Sequence, residues 1–231
     1  TLLNLFGEYE KARELETTHS FHPWEGGEGK ITTQYVVTHI ELAKEALKKQ
    51  QPEKAKELLL QARTYPLNLH EGKLEGNKDN EVHYLLGCVY EQEHNQEKAK
   101  YHWNLATCGA LTASGALYYY DQSPHQLYYK ALALRKLENE TEAQSIFDEL
   151  ISYGKSELNA SVSIDFFAVS LPDLQVFTDD LNKRNQVHCY FLIALGNLGK
   201  GKIKDARTAF ETVLIMDPSH WEAKRHLYAI V

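Results

Sequence analysis

"HYLLGCVYEQEHNQEKAKYHWNLA", residues 83–106, decides the fold. Leu86, Gly87 and Tyr90 lie on one side of "EHNQ", and Ala99, Trp103 and Ala106 on the other. The i, i+4, i+7 spacing of the second set is the apolar stripe of an amphipathic helix, and the first set has the same helical period. Neither half carries enough apolar surface to fold alone, so the two predicted helices must share a face with each other and with a neighbour.

The neighbour is a repeat of the same pattern. "EKA" occurs at 10–12, 53–55 and 97–99, with "TEA" at 141–143 and "KDA" at 204–206, so Ala12, Ala55, Ala99, Ala143 and Ala206 stand 43, 44, 44 and 63 residues apart. Four residues beyond the last four alanines come Leu59, Trp103, Phe147 and Phe210, and three further on Ala62, Ala106, Leu150 and Val213. About twelve residues before each alanine sits a small residue, Ala43, Gly87, Ala131 or Ala194, after Leu42 and Leu86 in the first two units and Ile193 in the fourth. Each unit therefore reads as a helix pair joined through a small-to-large fit. Because such a pair exposes apolar surface at both ends, pairs must stack.

This alphabet resembles the tetratricopeptide repeat, whose consensus runs W-x2-L-G-x2-Y, then A-x3-F-x2-A, then Pro. The second unit matches it with His83, Leu86, Gly87, Tyr90, Ala99, Trp103 and Ala106; the fourth with Tyr190, Ile193, Ala194, Ala206, Phe210, Val213 and Pro218. The first has Leu42, Ala43, Ala55, Leu59, Ala62 and Pro66. The third keeps Ala131, Leu134, Ala143 and Phe147, but Lys130 stands where Leu is expected. The resemblance implies an all-α, right-handed α-α superhelix. Its units are expected at about 36–69, 80–113, 124–157 and 187–220, with terminal helices at 2–18 and 219–230.

A standard unit has 34 residues, so the last three spacings, 44, 44 and 63, leave an excess of 10, 10 and 29 residues. The excess is expected in inserted segments at about 70–79, 109–123 and 158–186, the last containing the extended-looking "VSIDFFAVSLP"; a further segment, 19–30, lies before the first unit. Pro23 and glycines 26, 27 and 29 exclude continuous helix there. Segments 19–30 and 170–189 are also similar to the C-terminal repeat region of large bacterial proteins with an uncharacterised, possibly sugar-related N-terminal domain.

In the repeat family, positions two, five, nine and twelve of each first helix line the concave face. Carried onto this sequence they include Lys44; Glu81, Tyr84, Cys88 and Glu91; His125, Tyr128 and Arg135; and Phe191. Lys44, Tyr84, Glu91, Tyr128, Arg135 and Phe191 are the groove candidates for an extended peptide or a helix. The same surface could instead bury part of its own chain. A carboxylate clamp needs paired Lys and Asn at positions five and nine, where the first unit has Ile40 and Lys44. On the loops, His22, Trp24, Glu25 and Tyr119 are candidates for contact with a partner or a sugar; the competing reading is that Trp24 and the Tyr118–Tyr120 run anchor their loops to the helices.

Composition narrows the classes. A formal charge of −7 over 231 residues argues against a nucleic-acid footprint. Runs such as "CYFLIAL" at 189–195 fall short of the roughly 20 residues a membrane span needs. Cys88, Cys108 and Cys189 form no CxxC pair and read as reduced thiols, and the eleven histidines lack HExxH company. No metal and no cofactor are expected. "GNLGKGKIKDA" (196–206) reads as an interhelical turn rather than a phosphate loop. The chain starts within a helical pattern, which suggests a piece of a larger polypeptide; the second resemblance implies a bacterial one, and a cytoplasmic setting is favoured. The function expected is a non-catalytic protein-interaction or domain-docking module, with partners a protein or another domain of the same polypeptide. The alternative is a substrate-contacting accessory part of a carbohydrate-active enzyme, with a glycan partner.

Overall fold

A computed structural model describes residues 1–23, 27–115, 122–162 and 180–230. Eleven α-helices, and no strand, occur among them: α1 (Leu2–Leu5), α2 (Tyr9–Thr18), α3 (Lys30–Lys48), α4 (Pro52–Gln61), α5 (Asn80–Gln92), α6 (Gln96–Ala106), α7 (Gln126–Lys136), α8 (Glu140–Glu157), α9 (Leu181–Gly199), α10 (Ile203–Met216) and α11 (Trp221–Ala229). Helices α3/α4, α5/α6, α7/α8 and α9/α10 are the four pairs. Each pair packs on the next, and α3, α5, α7 and α9 also touch in sequence to form the inner layer of an all-α, TPR-like solenoid.

The repeat register is visible in the turns. Gln50, His94, Glu138 and Gly201, each five residues before its repeat alanine, all adopt left-handed backbone, with φ of 56°, 58°, 64° and 72°. The next residue in every case donates its N–H to a carbonyl five back: Gln51 to Ala46, Asn95 to Tyr90, Asn139 to Leu134 and Lys202 to Asn197, at 2.8–2.9 Å. This is the Schellman closure of a helix C-terminus, made four times. Asn95 and Asn139 then cap the following helices by accepting from Lys98 N and Glu142 N.

The small-to-large fit lies where the sequence places it. Ala55, Ala99, Ala143 and Ala206 are fully buried, as are Leu59, Phe147 and Phe210, and Trp103 is 2% exposed. A Cβ built on Gly87 would meet Trp103 Nε1 at 2.2 Å, so only glycine admits that indole. Burying side chains of this size contributes about 1.5–3 kcal/mol each.

Three differences from the sequence expectations have physical causes. The helix expected over 2–18 is broken, because Phe6 caps α1 and Gly7 turns the chain with φ 74° before α2 begins. Gly196 and Gly199 do not lie in the interhelical turn. They sit inside α9, where a Cβ on Gly199 would meet Phe147 Cε1 at 2.1 Å, so they let the fourth pair close onto the third; of the three, only Gly201 serves the turn. Lys130, the residue that departs from the pattern, is 3% exposed, and its ammonium donates to the carbonyls of Gly109 (3.3 Å) and Ala110 (2.9 Å), tying the inserted loop to α7.

Polar anchors fix the other described loops in the same manner. Asn68 donates to the carbonyls of Glu16 and His19, and Glu71 accepts from Gly29 N and Thr32 Oγ1. Asn80 donates to Ala106 O and Cys108 O while accepting from Gln122.

Candidate functional site: the concave face and its C-terminal helix

The inner layer does not enclose an open groove. Helix α11 lies across it, and the contact is centred on Arg225. Its Nη1 donates to Glu41 Oε1 (3.0 Å) and Glu81 Oε1 (3.0 Å), and its Nη2 to Glu81 Oε2 (2.8 Å) and the Tyr129 hydroxyl (3.0 Å). Lys44 closes the cluster from α3, reaching Glu41 at 2.9 Å and Glu81 at 2.8 Å. The side chains of Arg225 and Glu81 are only 6% and 4% exposed. Burial alone would raise the carboxyl of Glu81, but Arg225 and Lys44 outweigh it and hold the group far below the usual carboxylate range. Glu41 is also lowered: burial opposes, while Lys44 and Arg225 win. Both carboxylates stay charged at neutral pH with Lys44 and Arg225 against each, so the cluster acts as an electrostatic clasp rather than acid–base machinery.

Beside the clasp runs an aromatic seam. The ring of His226 stacks on Phe210 (5.6 Å, 4° between planes) and meets Tyr128 edge-on at 5.6 Å and Phe191 at 6.2 Å. Tyr129 Oη and His226 Nε2 are 3.4 Å apart. His220 caps α11 by accepting from Ala223 N and lies 4.7 Å from the Phe191 ring, while His125 Nε2 faces Glu222 Oε1 at 3.0 Å. A cavity of about 130 Å³ remains at the edge of α11, lined by residues including Tyr65, Asp79, His125 and Trp221.

The groove candidates thus divide. Lys44, Tyr128 and Phe191 are brought together beneath α11, Tyr128 and Phe191 being buried there rather than facing an open groove. Tyr84 is half-buried against Tyr129, at 6.3 Å between rings, and burial raises its phenol. Glu91 and Arg135 lie elsewhere: Glu91 pairs with Lys136 at 2.5 Å, and Arg135 binds Glu140 and the Gly199 carbonyl while its guanidinium lies 5.0 Å from the Phe147 centroid. Of the loop candidates, His22 is exposed and stacks on His70 at 5.8 Å; Trp24, Glu25 and Tyr119 lie outside the described residues, as does most of "VSIDFFAVSLP". Arg225, Glu41, Tyr129 and His226 are the residues the sequence reading missed. Nothing local marks Arg225, since its partner Glu81 is 144 residues away.

Among the described residues no group of three or more His, Cys, Asp or Glu is placed to hold a metal ion. No helix among them is long and apolar enough to cross a membrane. Cys88, Cys108 and Cys189 are free thiols.

Taken together, the four Schellman-closed pairs, the buried small-to-large positions and the inner layer of first helices define a TPR-like helical solenoid with its concave face closed by a terminal helix. No protein-family model matches the chain. Among solved structures it is similar to "MamA RS-1 ArsTM double mutant", at 13% identity and TM-score 0.28 over 85% of this chain and 83% of that one. It is likewise similar to "MamA 41-end from Desulfovibrio magneticus RS-1", at 12% identity and TM-score 0.27 over the same shares.

Proposed function

We propose that the chain is a non-catalytic protein-interaction or domain-docking module whose concave face takes a helix, its own α11 being the resident one. The observation that carries this reading is the seating of α11. A nine-residue helix, too short to be stable by itself, is held across α3, α5 and α7 by a buried arginine and two carboxylates. Helix-in-groove recognition of this kind uses a few anchors at helical spacing, and here Ala223, His226, Leu227 and Ile230 supply them, with Arg225 as the charged one. A partner helix that presents a cation to Glu41 and Glu81 would compete for the same surface. The alternative, an accessory part of a carbohydrate-active enzyme, rests on Trp24, Glu25 and Tyr119, and no described contact favours it.

The test uses a fluorescent peptide of residues 217–230 and the full chain. Arg225→Gln weakens the resident helix by leaving Glu81 under-compensated, a loss of about 3–5 kcal/mol for a fully buried pair. The peptide, which keeps its arginine, is expected to bind Arg225→Gln at least about 100-fold more tightly than the wild type. Equal affinity for both proteins, or binding that is indifferent to Glu81→Gln, refutes the proposal.

A further inference from the structure

Helix α11 brings several imidazoles to one apolar seam. His226, on its buried face, is surrounded by the rings of Tyr128 and Tyr129 from α7, Phe191 from α9 and Phe210 from α10. At the start of the helix His220 lies against the same Phe191, and His188 on α9 binds the carbonyl of Ser114 beside it. The charged and titratable groups around them are Glu41 and Lys44 from α3, Glu81 from α5, His125 at the N-cap of α7 with Tyr128 and Tyr129 within it, Asp217 from the preceding turn, and Glu222 and Arg225 from α11 itself.

A neutral imidazole suits such a seam because it packs as a flat ring. An imidazolium does not. It would lose its hydration among four aromatic rings, with Arg225 and Lys44 as like charges. Glu81 is the carboxylate that favours it, and that group is already occupied by Arg225 and Lys44.

We propose that α11 is an acid-released latch: protonation of His226 and His220 below neutral pH frees the helix from the seam and uncovers the concave face. The latch goes beyond the docking function and does not depend on what the groove binds. Burial, reinforced by Arg225 and Lys44, holds His226 well below the usual imidazole range. Burial lowers His220 too, although Glu222 and Asp217 oppose it there. A histidine whose docked value is depressed contributes its full share of docking above its free value, near 6.5, and that share is lost as the pH falls below it. Glu41 and Glu81, with depressed values, remain charged throughout this window.

The experiment is hydrogen exchange of the full chain at pH 7.5 and pH 5.5, corrected for intrinsic exchange rates, comparing residues 221–229 with α10 as the internal reference. Protection of α11 is expected to fall about tenfold if His226 acts alone and about a hundredfold if His220 adds to it, while α10 keeps its protection. The drop should vanish in His226→Phe/His220→Asn, which keeps a stacking ring and a capping acceptor. It should shrink but persist in His220→Asn alone, which leaves the Phe210 seam untouched and guards against misfolding of the double variant. Unchanged α11 protection at pH 5.5 in the wild type overturns the proposal. So does loss of α10 and α11 protection together, or an undiminished drop in the double variant.

Discussion

Replacing Gly87 with alanine sets two effects of known size against each other. In an isolated helix the change stabilises by about 1 kcal/mol, because alanine is the better helix former. At this position the new methyl would sit 2.2 Å from Trp103 Nε1, 2.3 Å from Cδ1 and 2.8 Å from Cε2. Those are ring atoms of a side chain 2% exposed, with the Lys136 ammonium 5.3 Å from its centroid, so the indole has little room to retreat. Overpacking of this kind costs about 1–3 kcal/mol, so the clash offsets or exceeds the propensity gain and the net change is about 0–2 kcal/mol destabilising. Urea denaturation followed by far-UV circular dichroism measures it. The same substitution made in a Trp103→Leu background, where the indole is gone, is expected to recover the propensity gain and stabilise. Stabilisation by about 1 kcal/mol in the wild-type background would refute the close approach of α5 and α6.

Other consequences follow from particular residues. His94→Gly and Glu138→Gly relieve non-glycine residues of a left-handed conformation that costs about 1–2 kcal/mol, part of which is returned to the unfolded chain by glycine's freedom, so thermal melts should show each variant slightly stabilised; a fall in midpoint would contradict the turn geometry. Burial pushes Glu16 up to about 7, against a hydrogen bond from Thr38 and the N-terminal amine, and its Oε2 has no partner among the described residues. Its folded value exceeds the unfolded one, so its contribution is present below about 4.5 and is lost as the pH rises towards 7. Glu16→Gln should therefore be more stable than wild type at pH 8, by about 1–3 kcal/mol, and nearly equal at pH 5, as paired urea titrations would reveal. Lys130→Met removes the ammonium that ties Gly109 and Ala110 to α7, and limited proteolysis should then cut within 109–115 several-fold faster, whereas unchanged cleavage would argue that other contacts hold the loop.

The repeat architecture was legible because its signal is local and recurrent. Ala99, Trp103 and Gly87 can be read within one stretch, and the same spacing returns at Ala143 with Phe147 and at Ala206 with Phe210. The four left-handed turn residues obey that spacing as well, yet three of them are Gln50, His94 and Glu138, which carry no turn signature in the sequence. Gly196 and Gly199 misled for the converse reason: a glycine that admits Phe147 and one that turns a chain are the same letter. The clasp was out of reach. Tyr128 and Phe191 could be placed on the concave face by register, but whether Arg225 reaches Glu81 depends on how far the stack curls through its insertions, a distance no local pattern encodes.

The central claim is that α11 is seated on the concave face through Arg225, and a double-mutant cycle between Glu81→Gln and Arg225→Gln tests it most directly. The account predicts a coupling of at least about 1.5 kcal/mol in urea-unfolding free energies, within the range found for residues in contact. Independent sites add to within about 0.5 kcal/mol, so a coupling of that size or smaller would place the helix away from Glu81 and contradict the account.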